Sequence, residues 1–305
     1  MGGKALKTAH TRRYAADEYH RLVPQVVDMI PGRADVIPAY ATKSSFGDMD
    51  VIYSNAPVDV EPIFQPTEIV RNGPVTSFDY RELQIDLIYS PNESYAYALN
   101  YYSWNDAGNL VGRIMHRMGL KHGHRGLTMP VRVGTRQVAE ISLTTDYARA
   151  LSMIGLEPLD NPQTLEDIFA WVATSRYFSP DIYLFENLNN VSRTRDKKRE
   201  TYRRFLDWCK DYRGPAHTAP TDALSLVFDH FPESEYLYNQ SLARDSANQI
   251  RKTKFNGLIV SELTGLTGVQ LGIFMAQCIA QIGPELDHMS PDHIRSKILE
   301  IHTGH

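Results

Sequence analysis

Gly47-Asp48-Met49-Asp50-Val51-Ile52-Tyr53 sets two carboxylates two residues apart at the head of an apolar run. The run reads as a strand, and because successive strand side chains alternate faces, Asp48 and Asp50 point the same way. Two acids side by side with no basic neighbour in the run repel each other, and a divalent cation between them would relieve that repulsion. Working outward, Leu83-Gln84-Ile85-Asp86-Leu87-Ile88-Tyr89 reads as another strand and carries a third acid, Asp86. Three carboxylates on adjacent strands are what a two-magnesium phosphoryl-transfer site needs. The alternative is a solvated strand edge or an Asx turn after Gly47. Just upstream, Lys43, Ser44, Ser45 and Gly47 offer an ammonium, hydroxyls and backbone amides suited to gripping a phosphate.

With those residues in view, the chain resembles the DNA polymerase beta superfamily of nucleotidyltransferases, most closely its family X polymerase branch. Ser45-Phe46-Gly47-Asp48-Met49-Asp50-Val51 is similar to that family's metal-binding strand, and an ungapped run from Ile85 to about Arg113 carries the rest of the likeness. The resemblance makes Asp86 the third metal carboxylate and Tyr101-Tyr102-Ser103 the sugar-contacting aromatic segment. It sets Asp106 and Asn109 to face the incoming base and Arg113 on the helix over the nascent pair. The likeness spans about residues 15 to 130. It implies two Mg2+ ions, replaceable by Mn2+, a nucleoside triphosphate donor and a DNA or RNA 3′ end as acceptor.

The chain also departs from that family. Pro38-Ala39-Tyr40-Ala41-Thr42-Lys43-Ser44-Ser45 stands where the family has a Gly-Ser signature, and Gln84 replaces a basic residue beside the third acid. Ser103-Trp104-Asn105 replaces a Thr-Gly-Ser turn, putting an indole where glycine's backbone freedom is usual. Trp104 could stack on a base or sugar, or plug the core between sheet and helix.

At 305 residues, with 42% apolar and 22% charged, the chain can build one large or two modest cores, and two domains are expected. Cys209 and Cys278 lie far apart and offer no metal framework, which suits a reducing compartment. No apolar run approaches the length of about 18 residues that a membrane span requires, and no signal peptide is evident. A soluble, cytoplasmic protein with no membrane partner is therefore expected. The net charge of -4 argues against a uniformly basic surface.

The charges are nevertheless uneven. Between Asp106 and Glu140 there is no acid, while Arg113, Arg117, Lys121, Arg125, Arg132 and Arg136 supply six cations. Asn109 to Leu120 reads as a helix with Arg113 and Arg117 one turn apart and Lys121 extending the stripe, a surface for the polymer or triphosphate. A solvated basic face paired with acids elsewhere is the alternative. His116, His122 and His124 among those cations are a poor zinc site.

The spacing predicts a helix over Asp17 to Met29, a strand over Ala34 to Tyr40, and a turn at Asn72-Gly73 before strands Val75 to Tyr80 and Leu83 to Tyr89. Val131 to Thr144 is expected to close the sheet. Beyond residue 146 the period is helical over Tyr147 to Ile154, Thr164 to Ser175, Asp196 to Lys210, Thr221 to Phe228, Leu242 to Lys252 and Val269 to Ile282. Within this region Arg193 to Arg199, continued by Arg203 and Arg204 beside Tyr202 and Phe205, is either a nucleic-acid contact or a solvated face. Gly265-Leu266-Thr267-Gly268 reads as a tight turn or as an anion-binding helix start, weakly resembling an element of bacterial transfer-RNA and poly(A) nucleotidyltransferases.

The expected fold is α+β, with a small mixed-sheet nucleotidyltransferase domain over residues 1–145 and an all-helical domain over 146–305 that holds a polymer end. The expected reaction is transfer of a nucleoside monophosphate from an NTP or dNTP to a terminal hydroxyl, with pyrophosphate released. Only about 33 residues precede the first strand, which leaves no room for the lyase-type domain of repair polymerases and disfavours gap filling. RNA 3′-end tailing or transfer-RNA repair, transfer to a protein or small molecule, and a non-catalytic nucleic-acid-binding protein are the alternatives.

Overall fold

The computed structural model describes residues 5–55 and 57–304. The chain opens with β1 (Tyr14–Ala15), α1 (Ala16–Met29), β2 (Ala34–Val36), β3 (Ser45–Phe46) and β4 (Asp48–Tyr53). It continues through α2 (Val60–Phe64), β5 (Ile69–Asn72), β6 (Val75–Tyr80) and β7 (Leu83–Tyr89). Strands β2-β4-β7-β6-β5 form a five-stranded sheet in that order, with β4 and β7 parallel and the other pairs antiparallel. The sheet is thus small and mixed, as the sequence implied. Strand β2 is shorter than expected because Pro38, which has no amide hydrogen, cannot extend the ladder.

Strand alternation separates the sheet into two faces. Met49 and Val51 of β4 lie beside Ile85 and Leu87 of β7 and are buried against Tyr19, Leu22 and Val26 of α1. These α1 residues are spaced three and four apart, so one stripe of the helix covers the sheet. Asp48, Asp50 and Ile52 alternate onto the opposite face. There Ile52 packs under Tyr95 and Ala98 of α3 (Asn92–Tyr102), so the helix covers the far end of β4 and leaves the acids at its start.

After α3 come α4 (Ala107–Arg117), β8 (Lys121–Gly123), β9 (Gly126–Val133) and β10 (Arg136–Thr144). Residues 131–144 do not close the main sheet. Strands β10-β9-β8 form a sheet of their own, because alternation alone does not say which strand is the partner. Lys121 lies on β8, not on the helix carrying Arg113 and Arg117, so the continuous basic stripe ends at Arg117.

Helices α5 (Tyr147–Ser152), α6 (Leu165–Ala173), α7 (Asn190–Lys197), α8 (Glu200–Asp211) and α9 (Ala223–His230) follow. The expected helix over Asp196 to Lys210 is two helices, broken where Arg199 is extended and pairs with Asp106. Tyr202 and Phe205, beside the basic run, are fully buried core residues.

Two compact units result, and they do not divide at residue 145. One joins the described residues up to Pro130 with Glu140–Ser234, so α5 to α9 belong with the sheet. The other comprises Val131–Ala139 and the residues from Glu235 onward. Most of the helical second unit is α10 (Glu233–Lys254), α11 (Gly257–Thr264), α12 (Gly268–Ile282) and α13 (Pro291–Thr303), with Phe255, Val260, Phe274, Cys278 and Ile294 among its core residues. Arg136 on the tip of the β9–β10 hairpin makes a two-pronged bond to Asp245, both contacts 2.8 Å. Gly265, with φ +73°, ends α11, and Thr267 starts α12, so the Gly265–Gly268 segment is the tight turn between two packed helices.

Candidate metal centre

The parallel register places Asp50 opposite Asp86 and Asp48 opposite Gln84. The ligand oxygens of Asp48, Asp50 and Asp86 lie within 4.8 Å of one another, so the three acids read from the sequence form one cluster. Gln84, two residues from Asp86 and on the same face, donates from Nε2 to both oxygens of that carboxylate at 2.9 and 3.1 Å. Its own carbonyl accepts from the Ala5 amide at 3.0 Å. Ser77, the cross-strand partner of Asp86 on β6, adds a hydroxyl bond to the same carboxylate. The replacement of a basic residue by Gln84 therefore leaves Asp86 oriented, with no positive charge added beside it.

Electrostatics are dominated by burial and mutual repulsion. Burial pushes the Asp50 carboxyl well above its ordinary range, and Asp48 and then Asp86 push it further, with Lys43 opposing. Burial also raises Asp86, against the hydrogen bonds from Ser77 and Gln84. A cluster of this kind fits a hard divalent cation, which accepts carboxylate oxygens and removes the repulsion between them.

Lys43 lies next to the cluster. Burial lowers its pKa while Asp48 and Asp50 work to hold its charge, and its Nζ sits 4.4 Å from the centre of the Phe46 ring, which stacks on Tyr19. Ser44 and Ser45 are fixed through β1: the Ser44 carbonyl accepts from the Ala16 amide, and β1 pairs with β3. Arg13, which sequence reasoning missed, donates to the Ser45 hydroxyl at 3.0 Å and to its carbonyl at 2.9 Å. Gly47 joins β3 to β4. No local signal marks Arg13, since its position depends on the β1–β3 pairing across about thirty residues.

Of the aromatic segment, Tyr102 is the member that feels the acids. Burial, Tyr101 and then Asp50 push its phenol up to about 12. Tyr101 packs edge-on against Tyr102 and His122. The Ser103 hydroxyl is committed to the Leu99 carbonyl at 2.6 Å, closing the end of α3. Trp104 and Asn105 both have φ +62°, the conformation glycine adopts without strain. The indole Nε1 donates to the Leu159 carbonyl at 3.1 Å, and the Trp104 amide donates to Pro38.

The remaining candidates are held within the chain. Asp106 pairs with Arg199, the Asn109 carbonyl oxygen accepts from Arg195 at 2.6 Å, and Arg113 pairs with the fully buried Asp196. Helix α7 and Arg199, the residue just before α8, thus occupy Asp106, Asn109 and Arg113, the polar groups at and on α4 that the resemblance turned toward a base. Arg117 donates to the His217 carbonyl at 2.8 Å, and Lys121 pairs with Glu140. His122 is a core residue, bonded through Nδ1 to the Tyr97 hydroxyl at 2.7 Å and held neutral by burial, and it joins no metal-binding group among the described residues.

Comparison of the chain with models of known protein families and with curated proteins finds no match. Among the described residues no helix is long and apolar enough to cross a membrane.

Proposed function

We propose that the chain is a metal-dependent nucleotidyltransferase, moving a nucleoside monophosphate from a nucleoside triphosphate to a terminal hydroxyl of a nucleic acid and releasing pyrophosphate. The observation that carries this reading is the convergence of Asp48, Asp50 and Asp86 on one sheet face, their oxygens within 4.8 Å of one another. Structural acids have little reason to cluster, because burial and like charge both penalise the ionised form.

Asp48 and Asp50 would hold both Mg2+ ions and Asp86 one of them. Bound there, the ions supply charge neutralisation for the phosphates and a lowered pKa for the attacking hydroxyl. The protein's own share is positional. Gln84 and Ser77 orient Asp86, and Lys43 brings a partly desolvated ammonium within electrostatic reach of Asp48 and Asp50 for the phosphate oxygens. Arg13 fixes the Ser44-Ser45 strand that leads into the acids. Tyr102 stands ready as the ring against the nucleotide sugar.

The test is a product-length assay with each labelled NTP and dNTP, Mg2+ or Mn2+, and single-stranded DNA, duplex DNA or transfer RNA. Extension of an acceptor that Asp86→Asn eliminates is the expected result. No extension of any acceptor by the wild-type chain with either metal would remove the proposal.

A further inference from the structure

Arg113, His116 and Arg117 are three and four residues apart on α4 and share one face. With Ile182, Leu188 and Asn189 they line a cavity of about 540 Å³. None of the triad acids contributes to this wall.

Asp196 accepts from both Arg113 and Arg195. Arg117 donates to the main-chain carbonyls of His217 and Tyr177 and Arg193 to that of Leu188, and neither has a carboxylate within ion-pair distance among the described residues. On the wall itself stand two guanidiniums, Arg113 and Arg117, the His116 imidazole and one carboxylate, Asp181. Donors are also left over. The Nε atoms of Arg113 and Arg193 are buried and have no acceptor, and the Arg113 side chain is only 10% exposed. Buried guanidinium N–H groups without acceptors are costly, and of the two arginines it is Arg113 that lines the cavity, where a ligand rich in acceptors would meet it.

We propose that this cavity binds a phosphomonoester carried on a body of nucleotide size. A guanidinium fork matches phosphate oxygens two at a time, and the nearly double charge of a phosphomonoester suits two guanidiniums better than the single charge of a carboxylate. The volume lies in the range of small-molecule sites, about 300–1,000 Å³, and exceeds what a lone anion needs. Ile182 and Leu188 give the body an apolar wall. The phosphate belongs either to a free mononucleotide or to the 5′ end of a polynucleotide. Neither source depends on the chemistry proposed for the acid cluster.

Titration calorimetry on the full chain in EDTA tests this, with inorganic phosphate, AMP, and one oligonucleotide carrying a 5′-phosphate or a 5′-hydroxyl as probes. The expected result is that AMP or the 5′-phosphorylated oligonucleotide binds, and that Arg117→Gln and His116→Ala each weaken binding about tenfold or more. Asp50→Asn should leave it unchanged. Binding of AMP assigns the free mononucleotide, whereas binding of the phosphorylated oligonucleotide alone assigns the polynucleotide end. His116 is exposed, so His116→Ala keeps the test open if Arg117→Gln fails to fold. The proposal is overturned if no phosphorylated probe binds at millimolar concentration. Equal affinity for the 5′-hydroxyl oligonucleotide, or affinity unaltered by both cavity variants, would overturn it as well.

Discussion

Asp50 on β4 stands directly opposite Asp86 on the parallel strand β7, and the sheet holds both carboxylates on one face with Asp48 beside them. Backbone pairing fixes this proximity, so the side chains cannot separate without breaking the central ladder. The acids therefore carry a repulsion that a cation removes, and metal should act as a folding ligand.

Mg2+ or Mn2+ is expected to raise the melting temperature of the wild-type chain. A ligand at one hundred times its dissociation constant stabilises by about 2.7 kcal/mol, which for a unit of this size corresponds to about 5–10 °C. Asp50→Asn should melt higher than wild type in EDTA and show no rise with metal. Thermal scans with and without the ion decide it: a metal-induced rise that persists in Asp50→Asn would place the ion elsewhere.

The pH dependence has a definite sign. The folded chain holds protons on Asp50 and Asp86 at pH values where the unfolded chain has released them, since burial and neighbouring acids raise both. Their contribution to metal-free stability is full below the ordinary carboxylate value and is lost as pH rises toward about 8, where Asp50 ionises. Other carboxylates work the opposite way, Glu68 among them, held low by the amides of Ala9, Lys7 and Thr8. The useful quantity is the difference between Asp50→Asn and wild type in EDTA, which should grow in favour of the variant between pH 5 and 8. A flat difference would show that burial and the neighbouring acids do not raise the Asp50 carboxyl.

Asp196 is fully buried and accepts from Arg113 and Arg195. Burial works to raise its carboxyl, but the two guanidiniums outweigh burial and hold it low. Breaking a buried pair costs about 3–5 kcal/mol because the remaining charge is stranded, so Asp196→Ala should lower the melting temperature by about 6–20 °C. Lys121 and Glu140 are exposed, and a pair of that kind contributes about 0–1 kcal/mol. Lys121→Ala should melt within about 4 °C of wild type. Equal effects of the two substitutions would mean that α7 is not anchored through Asp196.

The acids could be read from the chain because a strand's period of two is a local property: Asp48, Asp50 and Asp86 alternate with Met49, Val51, Ile85 and Leu87, which are buried as that alternation requires. The cations could not be assigned the same way. Arg113 meets Asp196 across 83 positions and Arg117 meets His217 across 100, and no spacing rule reaches that far. A stretch empty of acids from 107 to 139 says nothing about acids folded onto it from α7, or about Glu140 just past its end. The same limit hid the separate sheet of β8, β9 and β10, where the pattern showed strands but not their partners. It also hid the short β1, whose pairing with β3 holds the approach to the acids.

Trp104 combines a backbone preference and a side-chain anchor that oppose each other. Its φ of +62° suits glycine and costs a residue with a Cβ about 1–2 kcal/mol, while its indole is tied to the Leu159 carbonyl at 3.1 Å and is half-buried. Trp104→Ala keeps the backbone cost and loses the anchor. Trp104→Gly loses the anchor and relieves the backbone. Both should melt below wild type, because the lost packing and the freed Leu159 carbonyl outweigh the relief, with the glycine variant the more stable of the two by about 1 kcal/mol, or about 2–4 °C. Trp104→Phe, which keeps a ring but has no N–H, should lie between wild type and the glycine variant. The three melting temperatures read together separate the contributions: an alanine variant as stable as the glycine variant would remove backbone strain from the account, and a phenylalanine variant equal to wild type would remove the indole hydrogen bond.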